Sequence, residues 1–298
     1  MNEFLIKKLQ EIYENDTIDK ILNGLSSIKK TTFRTNTLKC SYEQIDRCLN
    51  ENNIIYDKYN KFSNIYVVDN KYESDIKKLN IYNDGLIYLQ SISSILPAYI
   101  INPKEKENIL DMCAAPGGKT TLIAALTNNK SNITAVELHK DRFERLKFNI
   151  EKQNANAYLI NINATDLNDY LKFDKILLDA PCSGSGIINI NDEKYQKYFT
   201  EDLIKKCVKT QKGLIKKSSK LLKSGGVLVY STCSLLKEEN EEITDYALNY
   251  GFEFDNICEN GDIDMIKVYE NVIIDDKYIK IIPSDIYEGF FVSRLIKK

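Results

Sequence analysis

The sequence predicts an α/β protein: a doubly wound, mostly parallel sheet preceded by a small α+β module. Three observations carry that reading. From residue 91 onward, short apolar runs alternate with longer amphipathic stretches, as strands alternate with helices in a parallel sheet. A Gly-Gly turn, Gly117-Gly118, joins the first of these apolar runs to the first helical stretch. The first 90 residues lack that regularity and mix short helix-like and strand-like pieces. The expected division is a module over residues 1–90 and a larger domain over 91–298.

Taken in order, "FLIKKLQEIY" and "SYEQIDRCLN" have helical periodicity, while "TTFRTNTL" and "NIYVV" read as strands. "LQSISSILPAYIIN" follows, then Pro103 and the charged "KEKEN". "NILDM" is a short apolar strand that leads through the glycine turn into the helical "KTTLIAALT". "ITAVEL" is the next strand and "KDRFERLKFNIEKQ" the next helix. "AYLINI", "KILLDA" and "GVLVYST" are further buried strands. Loops at the carboxyl ends of such strands build the binding site. No internal repeat or low-complexity linker interrupts the pattern.

Bulk properties exclude several classes. With 298 residues, 43% of them hydrophobic and 28% charged, the chain is globular and large enough for a substantial core. No apolar run has membrane-spanning length, and "MNEFLIKK" is not a secretory signal. Seven cysteines without a C-x-x-C pair suggest neither a disulfide framework nor a zinc site. A reducing cytoplasm and no metal are expected. A net charge of −2 means that any polyanion must be met by a local patch.

"DMCAAPGGKT" ends as a phosphate-binding P-loop does, but the match fails on inspection. The first glycine of G-x-x-x-x-G-K-[ST] would fall at Cys113. Pro116 also removes an N–H that a phosphate cradle would use. The dinucleotide pattern G-x-G-x-x-G is absent too. What remains is a tight turn that lets a ligand approach the backbone beside a helix N-terminus. The next strand ends in Glu137, about 20 residues after the turn, where a ribose hydroxyl pair would be held. The third strand leads to Asp166 and the fourth ends in Asp179. One glycine turn and three strand-end carboxylates suit an adenosyl ligand without phosphates. Singly, each acid could equally cap the helix that follows it.

Two cysteines occupy unusual places. Cys182, in "DAPCSGSG", follows the fourth strand, and Cys233, in "STCSLLKEENEE", follows the fifth. Thiols beside a helix start and a ligand pocket are candidates for nucleophilic chemistry. The acids from Glu238 onward oppose thiolate formation unless they point to solvent. Cys40, Cys48, Cys207 and Cys258 read as small, inert packing residues.

The segments "FRTNTLK", "LQSISS", "LDMCAAPGGKT", "DAPCSGSG", "STCSLLKEENEE" and "GFFVSRL" occur in the order found in the Nop/Sun group of RNA cytosine-5 methyltransferases. The chain resembles that family from residue 33 to its end, and most of all its small archaeal members acting on transfer RNA. The resemblance implies a class I methyltransferase fold, Rossmann-like, over residues 91–298, with S-adenosyl-L-methionine as cofactor. Cys113, Ala114, Ala115, Pro116, Gly117, Gly118 and Lys119 would hold its methionine part. Glu137 would hold the ribose, Asp166 the adenine, and Asp179 would lie near both cofactor and target base. Cys233 becomes the nucleophile and Cys182 the residue that assists product release. "GIININD" and "KIIPSDIYEGFF" lack basic residues that many members carry there, which leaves target identity open between tRNA and rRNA. The alternatives are a DNA cytosine-5 methyltransferase, with Cys182 as nucleophile, and a catalytically silent RNA-binding or ribosome-assembly factor. Retention of both cysteines and of the glycine loop argues against each.

A target base must be single-stranded or flipped out to reach both a thiol and a methyl donor. Lys205, Lys209, Lys212, Lys216, Lys220 and Lys223 recur at steps of three and four along the helix predicted over 201–223. They form one face, which reads either as a solvated surface or as a phosphate track. Arg34 and Lys39 are the candidate RNA contacts of the 1–90 module. His139 is expected at the surface, and the protein is expected to act as a monomer.

Overall fold

The computed structural model describes residues 3–59, 64–192, 198–257 and 272–298. Cys258 lies outside the described residues. The N-terminal elements are α1 (Glu3–Gln10), α2 (Asn15–Ser26), β1 (Thr31–Thr35), α3 (Tyr42–Glu51), β2 (Tyr56–Lys58), β3 (Ile65–Val68), the single turns α4 (Glu73–Ile76) and α5 (Asn80–Asn83), and β4 (Ile87–Leu89). The four strands form an antiparallel sheet in the order β2-β3-β1-β4. Its core is Phe33, Ile45, Leu49, Tyr66 and Ile87, with Cys40 and Cys48 packed at its margin.

α1 and α2 do not join that core. Leu5, Leu9, Ile18 and Ile21 instead pack with Phe199, Leu235, Leu236 and Ile282. Tyr13 donates to the Leu235 carbonyl at 3.0 Å, and Lys8 pairs with Glu238 at 2.5 Å. The chain thus starts on the larger domain, then builds the small sheet.

The larger domain follows as α6 (Ile92–Ile100), β5 (Asn108–Asp111), α7 (Gly118–Leu126), β6 (Asn132–Val136), α8 (Lys140–Lys152), β7 (Tyr158–Ile160), β8 (Phe173–Asp179), α9 (Glu201–Leu221), β9 (Leu222–Thr232), α10 (Glu241–Leu248), β10 (Phe252–Phe254), β11 (Val272–Ile274), β12 (Tyr278–Ile281) and β13 (Phe290–Lys297). The sheet runs β11-β12-β13-β9-β8-β5-β6-β7, with β10 on β13. β9, β8, β5, β6 and β7 are parallel, and β11 to β13 add an antiparallel edge. Strand order reverses at β5, so the crevice between β5 and β8 is the topological switch point.

Alternation along each strand explains the two cores. Ile109 and Leu177 face the side covered by α6, α7 and α8. Leu110, Ile176 and Leu178 face the side covered by α9 and α10. Period-two side-chain direction lets one short apolar strand serve both layers. No described helix is long and apolar enough to cross a membrane.

Arg34 is a correction to the sequence reading. It was expected at an RNA surface, but it is fully buried between the small sheet and the larger domain. Its Nε donates to Gln90 Oε1 at 2.9 Å, and its Nη2 to the Gly118 carbonyl at 3.1 Å and Thr121 Oγ1 at 2.8 Å. Burial lowers its pKa to about 10. Alternation on β1 did not reveal this, because both faces of that strand are covered. Asn36 adds a second tie, donating to the Gln153 carbonyl at 2.8 Å.

The lysine face of α9 is only partly available. Lys205 pairs with Glu201 at 2.9 Å, Lys220 with Asp169 at 3.0 Å and Lys223 with Asp174 at 2.6 Å. Lys212 lies over the Tyr246 ring, 5.2 Å from its centroid. Lys209 and Lys216 are exposed and form no ion pair among the described residues. Lys39 is exposed and donates to the Asp84 and Lys152 carbonyls.

Candidate active site

β5 ends in Asp111, and the chain turns through Cys113 to Gly117 before α7 begins at Gly118. Ala114 N–H donates to the Val136 carbonyl, and Gly117 N–H to the Ala114 carbonyl. Gly117 has φ +107°, and a Cβ there would also stand 3.1 Å from Leu146 Cδ1. A Cβ on Gly118 would approach Gln90 Nε2 to 3.1 Å and Tyr88 Cε1 to 3.2 Å. Gly117 is needed for its backbone conformation, and a side chain at Gly118 would press on Gln90 and Tyr88.

The loop borders a cavity of about 350 Å³, within the range of small-ligand sites. Cys113, Ala114, Ala115, Pro116, Gly118 and Lys119 line it, together with Asp111 and Asp179. Asp111 accepts from Thr120 Oγ1 at 2.7 Å. Its Oδ1 is buried with no hydrogen-bond partner among the described residues. Burial is the main cause that lifts the Asp111 pKa from 3.8 to about 6.

Glu137 and Asp166 are not part of that lining. Glu137 is buried at the end of β6, accepts from the His139 N–H at 2.9 Å, and lies 3.7 Å from Arg142. Arg142 also donates to the Ala115 carbonyl at 2.7 Å, which ties Glu137 to the loop. Nothing in the sequence marked Arg142, because a basic residue on an exposed helix has no pattern of its own. Asp166 is exposed in the short turn Ala164–Asp166, and His139 is exposed just ahead of α8.

Asp179 lies at the end of β8. Its Oδ2 pairs with Lys119 Nζ at 2.7 Å, and its Oδ1 accepts from Ser231 Oγ at 2.8 Å. Lys119 also donates to Ser94 Oγ at 2.7 Å. The Asp179–Ser231 contact follows from strand register, because the two residues are Cα partners across the parallel β8–β9 ladder. The same register carries both strands past one edge of the sheet, where Cys182 and Cys233 meet. Their Sγ atoms are 3.1 Å apart, and both thiols are partly exposed. The hydrogen bond to Cys233, then burial, hold Cys182 protonated well above the ordinary thiol range. Cys207 is half-buried on α9, where burial, then Glu239, raises its thiol to about 12.

The acids after Cys233 do not all face solvent. Glu238 pairs with Lys8 and Glu241 with Lys280. Glu239 is fully buried beneath the two cysteine loops. Burial raises its carboxyl above the ordinary range, while bonds from Ser183 and Ser234 oppose that shift. One acid among four near-equivalent ones in "KEENEE" cannot be singled out without the tertiary fold.

An S-adenosyl ligand fits this donor set. The glycine turn leaves room that a Cβ would fill, the buried Asp111 carboxyl lines the cavity, and a buried carboxylate stands at the end of the neighbouring strand. Fold and site together define a class I methyltransferase with paired thiols at the strand ends. A family model described as 16S rRNA methyltransferase RsmB/F matches residues 98–296. The chain belongs to this family, the RsmB/F or Nop/Sun group.

Among its relatives is the mouse 28S rRNA (cytosine-C(5))-methyltransferase, 35% identical over 83% of this chain and 32% of that protein. The ribosomal RNA small subunit methyltransferase F of Vibrio vulnificus (strain YJ016) is 38% identical over 72% of this chain and 46% of its own length. The tRNA (cytosine(72)-C(5))-methyltransferase of Pyrococcus horikoshii is 35% identical over 74% and 55%. The chain thus spans between a third and about half of these relatives. A solved methyltransferase homologue from Pyrococcus horikoshii matches end to end, with TM-score 0.79, 28% identity and 100% coverage of both chains. The structure of NSun6 from the same organism with SFG shares the fold, with TM-score 0.83, 23% identity and coverage of 99% and 98%.

Proposed function

We propose that the protein uses S-adenosyl-L-methionine to methylate carbon 5 of a cytosine in RNA, through a covalent adduct on Cys233. The observation that carries this reading is the meeting of Cys182 and Cys233 at 3.1 Å, with Asp179, three residues before Cys182, lining the cavity that the glycine loop borders. Carbon 5 of cytosine is a poor nucleophile. Addition of the Cys233 thiolate to C6 forms a C–S bond, breaks the ring's aromaticity and makes C5 enamine-like. Asp179, held by Lys119 and Ser231, is set to support a proton at N3 as charge develops there. When bound, the cofactor supplies the electrophilic methyl group that C5 accepts. A base then removes the C5 proton, C5=C6 re-forms, and the C–S electron pair returns to Cys233. Cys182, whose sulfur lies 3.1 Å from that of Cys233, is placed to assist resolution.

Transfer RNA is the favoured substrate and ribosomal RNA the next. The relative named for a tRNA cytosine supports the first, and the relatives named for rRNA support the second. The same reading makes the protein a monomer acting in the cytoplasm.

The test uses Cys182→Ala, Cys233→Ala and the double variant, each incubated with S-adenosylmethionine and cellular RNA and run on a denaturing gel. Cys182→Ala should trap a protein–RNA adduct, and the double variant should not. Trapping by Cys233→Ala alone would reverse the roles and restore the DNA-type mechanism. No adduct and no methyl transfer by the wild type would leave an RNA-binding protein without activity.

A further inference from the structure

Cys182 and Cys233 lie 51 residues apart on separate loops, and something must hold their sulfurs in contact. We infer that Glu239 is the positioning residue that does so. Its carboxylate joins the residue after each cysteine. Oε1 accepts from Ser183 N–H at 2.8 Å, and Oε2 accepts from Ser183 Oγ at 2.5 Å and from Ser234 Oγ at 2.6 Å. One buried group thus fixes both loops at the position next to the thiol.

The surrounding bonds give the clamp its rigidity. Gln211, fully buried on α9, donates to the Pro181 carbonyl at 2.9 Å and reaches Glu239 Oε1 at 3.4 Å. Pro181 precedes Cys182, so that loop is held on both sides of its cysteine. Asn240 does the same for Cys233, accepting from Thr232 Oγ1 at 2.6 Å and donating to the Ser234 carbonyl at 2.8 Å. Tyr230 donates to the Glu239 carbonyl, which pins the backbone of the clamp to β9. Ser185 Oγ and Ser234 Oγ, 3.0 Å apart, add a direct bond between the loops. A buried carboxylate with this set of donors is a rigid element, since removing it leaves several donors unsatisfied in a site closed to water.

The consequence falls on one step. Resolution of the adduct breaks the C5–H and C6–Sγ bonds and re-forms C5=C6. The proton goes to a base, and the electron pair of the C–S bond goes to the Cys233 sulfur. Cys182 can assist only while its sulfur stays within hydrogen-bond reach of that centre, and a shift of about 1 Å can cost on the order of 100-fold in rate. First attack by Cys233 needs no such partner. Loss of Glu239 should therefore slow resolution more than formation. This consequence rests on the covalent mechanism proposed above, whereas the spacing of the thiols does not.

The experiment reads the two separately, in the full chain. Thiol spacing is measured by oxidising Glu239→Ala, Glu239→Gln and wild type with diamide and following the Cys182–Cys233 disulfide by peptide mapping. Adduct is measured on denaturing gels with S-adenosylmethionine and cellular RNA, with Cys182→Ala as the reference. Glu239→Ala should form the disulfide at least about 10-fold more slowly and accumulate adduct although Cys182 is present, with KM for S-adenosylmethionine within about 2-fold of wild type. Glu239→Gln keeps an acceptor for Ser183 N–H and should restore most of both properties. A disulfide rate equal to wild type in Glu239→Ala overturns the assignment. So does lost turnover without adduct when Cys182→Ala traps one. If Cys182→Ala traps nothing while Glu239→Ala still slows the disulfide, the covalent reading fails and the clamp stands. If Glu239→Ala does not fold, Ser234→Ala removes one arm, together with the Ser185–Ser234 bond, while leaving the carboxylate paired with Ser183 and Gln211. It should shift both readouts in the same direction by a smaller factor, and wild-type behaviour there overturns the proposal.

Discussion

Asp111 and Arg34 show how burial changes what a charged residue does. Asp111 is a carboxyl at the foot of the cofactor loop, raised to about 6 mainly by burial. Its pKa is higher folded than unfolded, so the folded state binds its proton more tightly. The associated stability is present at about pH 4 and below and is lost as pH rises through about 6. Asp111→Asn does not titrate, so it should gain on wild type by about 2 kcal/mol between pH 4 and pH 7. Urea unfolding of both proteins at the two pH values checks this, and parallel pH dependence would refute it. Arg34 contributes through hydrogen bonds across an internal boundary. Arg34→Met leaves Gln90 Oε1 without its donor and takes one of two side-chain donors from the Gly118 carbonyl. It should cost about 1–3 kcal/mol in equilibrium unfolding and also weaken S-adenosylmethionine binding in calorimetry, because Gly118 starts α7.

At the scale of the element, α9 is two structures in one. Its inner face carries Ile204, Leu214, Ile215 and Leu221 into the cores, together with Gln211 and Ser218. Thr200 caps its start by accepting from the Leu203 N–H at 3.2 Å. The outer lysines differ in what they can offer a phosphate. Lys209→Gln and Lys216→Gln should each lower the salt dependence of RNA binding by about one counterion. Lys220→Gln and Lys223→Gln should change it less, because Asp169 and Asp174 already neutralise those ammonium groups. Filter binding of one transfer RNA across a series of salt concentrations separates the two pairs. Equal slopes in all four variants would return the whole face to plain solvated surface.

At the scale of the molecule, the first helices and the nucleophile loop are one packing unit. Leu235 and Leu236, just after Cys233 and Ser234, are buried against Leu5, Leu9 and Ile21. A chain lacking residues 1–26 should expose that apolar surface, bind a hydrophobic dye and lose adduct formation, although every residue of the site remains. Dye fluorescence together with the adduct gel tests this. A truncated chain that stays dye-silent and active would show that α1 and α2 merely decorate the domain.

What was legible in the sequence is local. Alternating apolar runs gave the parallel strands their order, and strand ends placed Glu137, Asp179, Cys182 and Cys233 on one side of the sheet. The turn at Gly117-Gly118 was legible because backbone conformation restricts residue type there. The antiparallel edge of β11 to β13 was not, since short strands after an irregular stretch carry little periodic signal. Sequence by itself determined the class of fold, the family and the chemical groups available. Only the tertiary structure decided that Arg34 is an internal tie, that α1 and α2 brace the Cys233 loop, and that Glu239 faces inward to join the two cysteine loops. Those outcomes depend on contacts between residues far apart in the chain. Burial and side-chain direction follow from what covers a face, and no local pattern records what will cover it.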